Sequence, residues 1–186
     1  RHTLAEAERV EPVADRDAWL QGQRFMRLRD QVDMYHWLIW GNGWLTRHAD
    51  VQGAWPAAPF VSVTFHWGGG LWGLHSLRQA TGGFAGVAAP PSWQDCKHRP
   101  VLFVYARLRT WVTARLLGDG LVQPGRAAMH LVRKLRAGTA ICGLWDSPAR
   151  PGDKSIAVIL RGRQISLPRG LPAMASREGL PLVLFH

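Results

Sequence analysis

Short apolar runs alternating with helical patterns predict an α/β fold, a largely parallel central sheet flanked by helices. The runs lie at residues 60–65, 101–105, 139–144, 156–160 and 182–185, rich in Val, Ile, Leu and Phe. Apolar residues at helical spacing lie between several of them, at 71–80, 108–117, 127–136 and 171–177. A chain of 186 residues has the length of one ordinary domain, and it shows no internal repeat or low-complexity segment. One core is therefore expected.

Residues 1–55 read as a helical lead-in and residues 56–186 as the α/β domain. The first eighteen residues are charged and Ala-rich and form a frayed or helical start. Beyond them Trp19, Leu20, Phe25, Met26, Leu28, Val32, Tyr35, Leu38 and Ile39 recur at helical spacing among Arg24, Arg27, Arg29 and Asp30. That pattern predicts an amphipathic helix with a basic face. We expect its apolar stripe to pack on the core, with burial in a membrane interface as the alternative. Pro56 and Pro59 bound a linker, and residues 60–65 are a β-rich run that ends at His66. The turn Gly68-Gly69-Gly70 then opens the next helix.

The chain carries 23 Lys and Arg against 13 Asp and Glu, a formal net charge of +10, and only Lys97, Lys134 and Lys154 are lysines. Such a surplus steers polyanions: nucleic acid, an anionic bilayer surface or an acidic protein. No helix-turn-helix, zinc-finger or RNA-recognition signature accompanies the charge, so nucleic acid is not the expected partner. Ten tryptophans, several of them clustered from Trp37 to Trp44, fit either core and pocket filling or a membrane interface. Cys96 and Cys142 form no CxxC or Cys/His cluster, which indicates neither zinc nor a disulfide framework and suits a reducing compartment. No apolar run approaches the roughly 18 residues that span a bilayer, and no signal-peptide pattern is present. The chain starts at Arg1 without Met and stops at a run that reads as a buried strand, so we expect a piece of a longer protein.

In open α/β sheets, sites gather outside the carboxyl ends of the strands, where His66 falls. An imidazole there suits a general base acting on a hydroxyl, because histidine titrates near operating pH. The alternative is a histidine satisfied by a loop carbonyl. Gly68, Gly69 and Gly70 leave backbone N–H groups unobstructed near a helix start, where they suit the oxyanion of an acyl-transfer intermediate. The triple glycine lacks the Lys-Ser/Thr ending of a phosphate loop, so nucleotide binding is not indicated.

From residue 60 to residue 186 the order of segments resembles the lipid A biosynthesis lauroyl/myristoyl acyltransferase family, of the lysophospholipid acyltransferase-like superfamily. His66 takes the histidine position of the family's first motif, and Leu71 stands where the family has an acid. Residues 99–109 look like the family's strand that ends in a Tyr-Arg pair, with Tyr105 in the tyrosine place and the arginine at Ala106 or, shifted by one, Arg107. Residues 131–148 are similar to its helix, glycine turn and strand ending in an aspartate, here Asp146. Residues 156–175 match a strand, a glycine turn at Gly162 and a Pro-x-Gly helix start at Gly170, both structural turns.

The resemblance implies a glycerolipid-acyltransferase-like fold. It also implies transfer of a fatty acyl group from an acyl carrier protein or coenzyme A thioester to a hydroxyl of a lipid or glycolipid acceptor. His66 acts as base, the glycine amides hold the oxyanion, Tyr105, Arg107 and Arg109 bind substrate, and Asp146 substitutes for the acid missing at Leu71. No metal or cofactor is implied beyond the thioester donor. The implied setting is the cytoplasmic face of a bacterial inner membrane, at an anionic lipid surface, with a membrane anchor upstream of Arg1. The Leu71 departure leaves a second expectation open, a catalytically degenerate relative that binds lipid or protein.

Overall fold

The computed structural model describes residues 8, 12–65, 70–87, 91–94, 96–122, 127–146, 154–160 and 162–185. Its helices are α1 (Arg16–His48), α2 (Gly70–Thr81), α3 (Pro100–Leu117), α4 (Ala127–Arg136) and α5 (Gly170–Glu178). Its strands are β1 (Val61–Thr64), β2 (Phe84–Val87), β3 (Gly118–Val122), β4 (Ala140–Leu144), β5 (Ser155–Leu160), β6 (Arg163–Pro168) and β7 (Leu182–Leu184).

Five strands form a sheet in the order β3-β2-β4-β1-β7, and every neighbouring pair is parallel. The chain is therefore α/β with a parallel sheet, flanked by helices. Strand β1 is buried along its length, as expected of a strand covered on both faces. Val61, Ala85 and Ile141 pack against α4 and α5 through Leu131, Leu135, Met174 and Ala175. Side chains alternate across a strand, so Phe60, Phe84, Ala140 and Cys142 meet Leu77 of α2 and Leu117 of α3 on the opposite face. Helix α1 adds a further layer there, where Met34 joins Leu71, Val112 and Leu116.

Two polar devices hold helix ends. Arg78 of α2 donates to the carbonyls of Arg115 and Leu116, which lack partners in the last turn of α3. Arg136 of α4 forms a two-pronged bond to Glu178 of α5, at 2.9 and 3.0 Å.

Several sequence expectations are corrected. Residues 101–105 are not a strand but the first turns of α3, which begins with Pro100 in its first turn, where the fixed φ and missing N–H suit a helix start. Val101 and Val104 are 82% and 65% exposed, so this apolar run lies on a helix surface and not within a sheet. Residues 156–160 form a strand, but one that pairs only with β6 as an antiparallel hairpin apart from the parallel sheet. Residues 182–184 form an edge strand on β1 with Leu182 and Leu184 exposed, where the sequence read as buried. Strands β2, β3 and β6 were not anticipated. Gly162 has φ +75° at the tip of the hairpin, a turn geometry open to glycine. Gly170 begins α5 as expected.

Helix α1 is longer than its periodicity predicts and kinks at Gly41, where φ is +63°. Core packing holds for only part of it. Asp33 and Met34 are buried, whereas all of residues 21–29 are exposed. Trp40, Trp93 and Trp111 are exposed, and Trp19, Trp37, Trp55, Trp72 and Trp145 are half-buried. Among the described residues no helix is long and apolar enough to cross a membrane.

Candidate active-site cleft

A cleft of about 790 Å³ lies at the carboxyl ends of β1, β2 and β4. Its apolar lining comes from Phe65, Leu71, Leu74, Phe84, Leu117 and Leu144. Helix α1 lays Met26, Arg27 and Asp30 along one side, and α3 contributes Arg109 and Thr113. Gly86 opens the floor: a Cβ there would meet Leu117 Cδ2 at 2.9 Å and the Cys142 carbonyl oxygen at 3.0 Å. A second cavity of about 620 Å³ shares Thr64 and Gly70 with the cleft and is walled by Trp55, Trp72, Val183 and Phe185.

His66, Gly68 and Gly69 lie outside the described residues. The two described residues that flank them, Phe65 and Gly70, both line the cleft. Gly70 begins α2, and nothing among the described residues lies within 4 Å of the position its Cβ would take. Asp146 is exposed and follows β4, the parallel neighbour of β1. The pairing runs to Thr64 opposite Leu144, and beyond it the Trp145 N–H donates to the Thr64 carbonyl at 2.7 Å. The rings of Phe65 and Trp145 stand 6.0 Å apart. Asp146 therefore stands at the sheet edge where β1 ends.

The cations named from sequence are placed differently. Arg109 lines the cleft, but its two terminal nitrogens donate to Asp30 at 2.6 and 3.2 Å, and one also to the Tyr105 hydroxyl at 3.2 Å. Burial acts to lower the Arg109 pKa, and the bonds to Asp30 and Tyr105 outweigh it, so the net shift is upward. Tyr105 and Arg109 thus serve each other and Asp30. Arg107, ~200° around the helix from Arg109, is exposed and not part of the cleft lining. Because residues 101–105 are helical, Tyr105 and Arg107 do not end a strand. Arg27, by contrast, lines the cleft and makes no ion pair among the described residues.

Leu71 is 4% exposed and packs with Met34, Val112 and Leu116, so the position expected to carry an acid is part of the core and of the cleft wall. Cys142 also lines the cleft, but burial pushes its thiol up to about 12, with a contact to Ser62 opposing. A thiol held so far above neutral pH is a poor nucleophile, and Cys142 is cleft wall. No group of three or more His, Cys, Asp or Glu suited to a metal occurs among the described residues.

Sequence reasoning missed Met26, Arg27, Asp30 and Thr113 as cleft residues. Arg27 and Asp30 read as a solvated helix face, and no signal local to them places that face over strands more than thirty residues away. Against protein-family models and curated protein sequences, the chain matches none.

Proposed function

We propose that the chain is an acyltransferase with a glycerolipid-acyltransferase-like fold, which moves a fatty acyl group from a carrier-protein or coenzyme A thioester to a hydroxyl of a lipid acceptor. The observation that carries this reading is an apolar cleft at the carboxyl ends of parallel strands, lined by Phe65 and Gly70, the described residues that bracket residues 66–69 in the chain. The cleft wall of Phe65, Leu71, Leu74 and Phe84 suits an alkyl chain.

In this reading His66 takes the proton of the acceptor hydroxyl as its oxygen attacks the thioester carbonyl. The C–O bond forms, the C–S bond breaks, and the departing thiolate receives the proton from the imidazolium. Backbone N–H groups of Gly68, Gly69 and Gly70 hold the carbonyl oxygen while it bears negative charge. Asp146 favours the charged imidazole in place of the acid absent at Leu71. Arg27, in place of Arg107, meets a phosphate of donor or acceptor at the cleft.

A second reading, a degenerate relative that binds lipid without turning it over, is favoured by one observation, the burial of Leu71 in the core. The test is incubation of the protein with an acyl-carrier-protein thioester and a membrane lipid extract, followed by mass spectrometry. A new lipid mass larger by one acyl group supports transfer. Lipid that binds without gaining mass supports the second reading.

A further inference from the structure

Helix α1 carries two apolar stripes, and only one is covered. Met34, Trp37 and Leu38 pack towards α2 and α3. The other stripe, Phe25, Leu28, Val32, Tyr35 and Ile39, recurs at alternating intervals of three and four residues, so its members line one face for ~21 Å. Phe25 is 63% exposed, Leu28 58%, Tyr35 44% and Ile39 68%, with Val32 half-buried between them. Single exposed apolar residues are ordinary on a protein surface, but a continuous row of large ones marks an interaction site.

The surroundings of the row are cationic. Arg24, Arg27 and Arg29 are all exposed, and residues 21–29 contain no carboxylate. Helix α3, tied to α1 by the Arg109–Asp30 pair, adds the exposed apolar side chains Val101, Val104 and Trp111. Arg107 stands exposed on that helix, and the Arg115 guanidinium lies 5.0 Å over the Trp111 ring. Each helix thus offers aromatic and aliphatic side chains among arginines; α3 carries no carboxylate, and Asp30 and Asp33 of α1 accept hydrogen bonds from Arg109 and Trp72.

We infer that the exposed stripes of α1 and α3 form a docking face for an anionic lipid surface. Apolar side chains enter the boundary between headgroups and acyl chains while arginines stay with the anionic headgroups, which is how amphipathic helices lie on bilayers. The charge argues against a second copy of this chain as occupant, because pairing the α1 rows would set Arg24 and Arg29 against their own counterparts. Met26 and Arg27, which lie within the same exposed segment, also line the cleft. The inference stands apart from acyl transfer, because it concerns adsorption and not chemistry.

Sedimentation with vesicles of mixed phosphatidylglycerol and phosphatidylcholine, and with vesicles of phosphatidylcholine alone, tests it. The wild type is expected on the anionic vesicles only, with binding that weakens as salt rises. The double variant Phe25→Glu/Leu28→Glu is expected to weaken binding tenfold or more with unchanged circular dichroism. Should that variant misfold, Arg24→Gln/Arg29→Gln reads the electrostatic part alone and is expected to weaken binding as well. His66→Ala is expected to bind as wild type, so failure of the catalytic reading leaves this result intact. Equal binding to phosphatidylcholine vesicles overturns the inference, as does wild-type affinity in the folded variants. A dimer in solution that Phe25→Glu/Leu28→Glu dissociates overturns it too.

Discussion

Arg109 of α3 and Asp30 of α1 face each other in a two-pronged ion pair, 2.6 and 3.2 Å between nitrogen and oxygen, at the side of the cleft. Both groups are partly exposed, so solvent screens the pair and its worth is modest. Asp30→Ala is expected to cost about 1 kcal/mol, a fall of roughly 2–4 °C in Tm for a chain of this size. Arg109→Lys should behave like Asp30→Ala, because an ammonium cannot reproduce the planar fork. Thermal unfolding of the two variants checks this, and a wild-type Tm in both would show that the pair does not tie the helices.

His75 on α2 is buried, and neither of its ring nitrogens has a hydrogen-bond partner among the described residues. Burial first, and then the nearby charge of Arg78, lowers its pKa below the ordinary 6.5. A histidine that takes a proton more readily when unfolded stabilises the unfolded chain as pH falls below about 6.5. The wild type should lose more Tm than His75→Leu between about pH 7.5 and pH 5.5. Equal losses would remove His75 from the acid sensitivity of the fold.

The Cys142 thiol, held up at about 12, should resist iodoacetamide at pH 8 in the folded protein and react once denaturant exposes it. Cys142→Ala should retain acyl transfer, since the reaction proposed passes through no acyl-cysteine. Peptide mass spectrometry reads the first outcome and the lipid assay the second. Loss of transfer in a folded Cys142→Ala protein would require a covalent step.

Gly86→Ala should destabilise the chain by about 1–3 kcal/mol. The added methyl meets the Cys142 carbonyl, part of the sheet backbone that does not move aside as a side-chain end does. Urea unfolding measures the loss. A wild-type midpoint would show that β2 and β4 yield at the cleft floor.

How far the sequence could be read depended on burial. Strands β1 and β4 and helix α4 follow from their residues, because Val61 and Val63, Ala140 and Ile141, and Leu131 and Leu135 sit in a covered core. Strand β2 has little to announce it: Gly86 lies there because the backbones approach closely, and glycine carries no strand signal. Residues 101–105 misled because β-branched and aromatic residues favour strands only where a sheet buries them, and here Val101 and Val104 face solvent. The strand-end positions of Asp146 and of the run before His66 were legible from spacing. The contribution of α1 was not, since Arg27 and Asp30 reach the cleft only through tertiary packing.

The central claim is that His66 serves as the base for acyl transfer, and its most direct test is release of free carrier thiol in parallel with formation of acylated lipid, wild type beside His66→Ala. The account predicts that both products appear together with the wild type and fall by a hundredfold or more with His66→Ala, in line with the roughly 10²–10⁴-fold worth of a positioned base. Equal yields from a folded His66→Ala protein would contradict it.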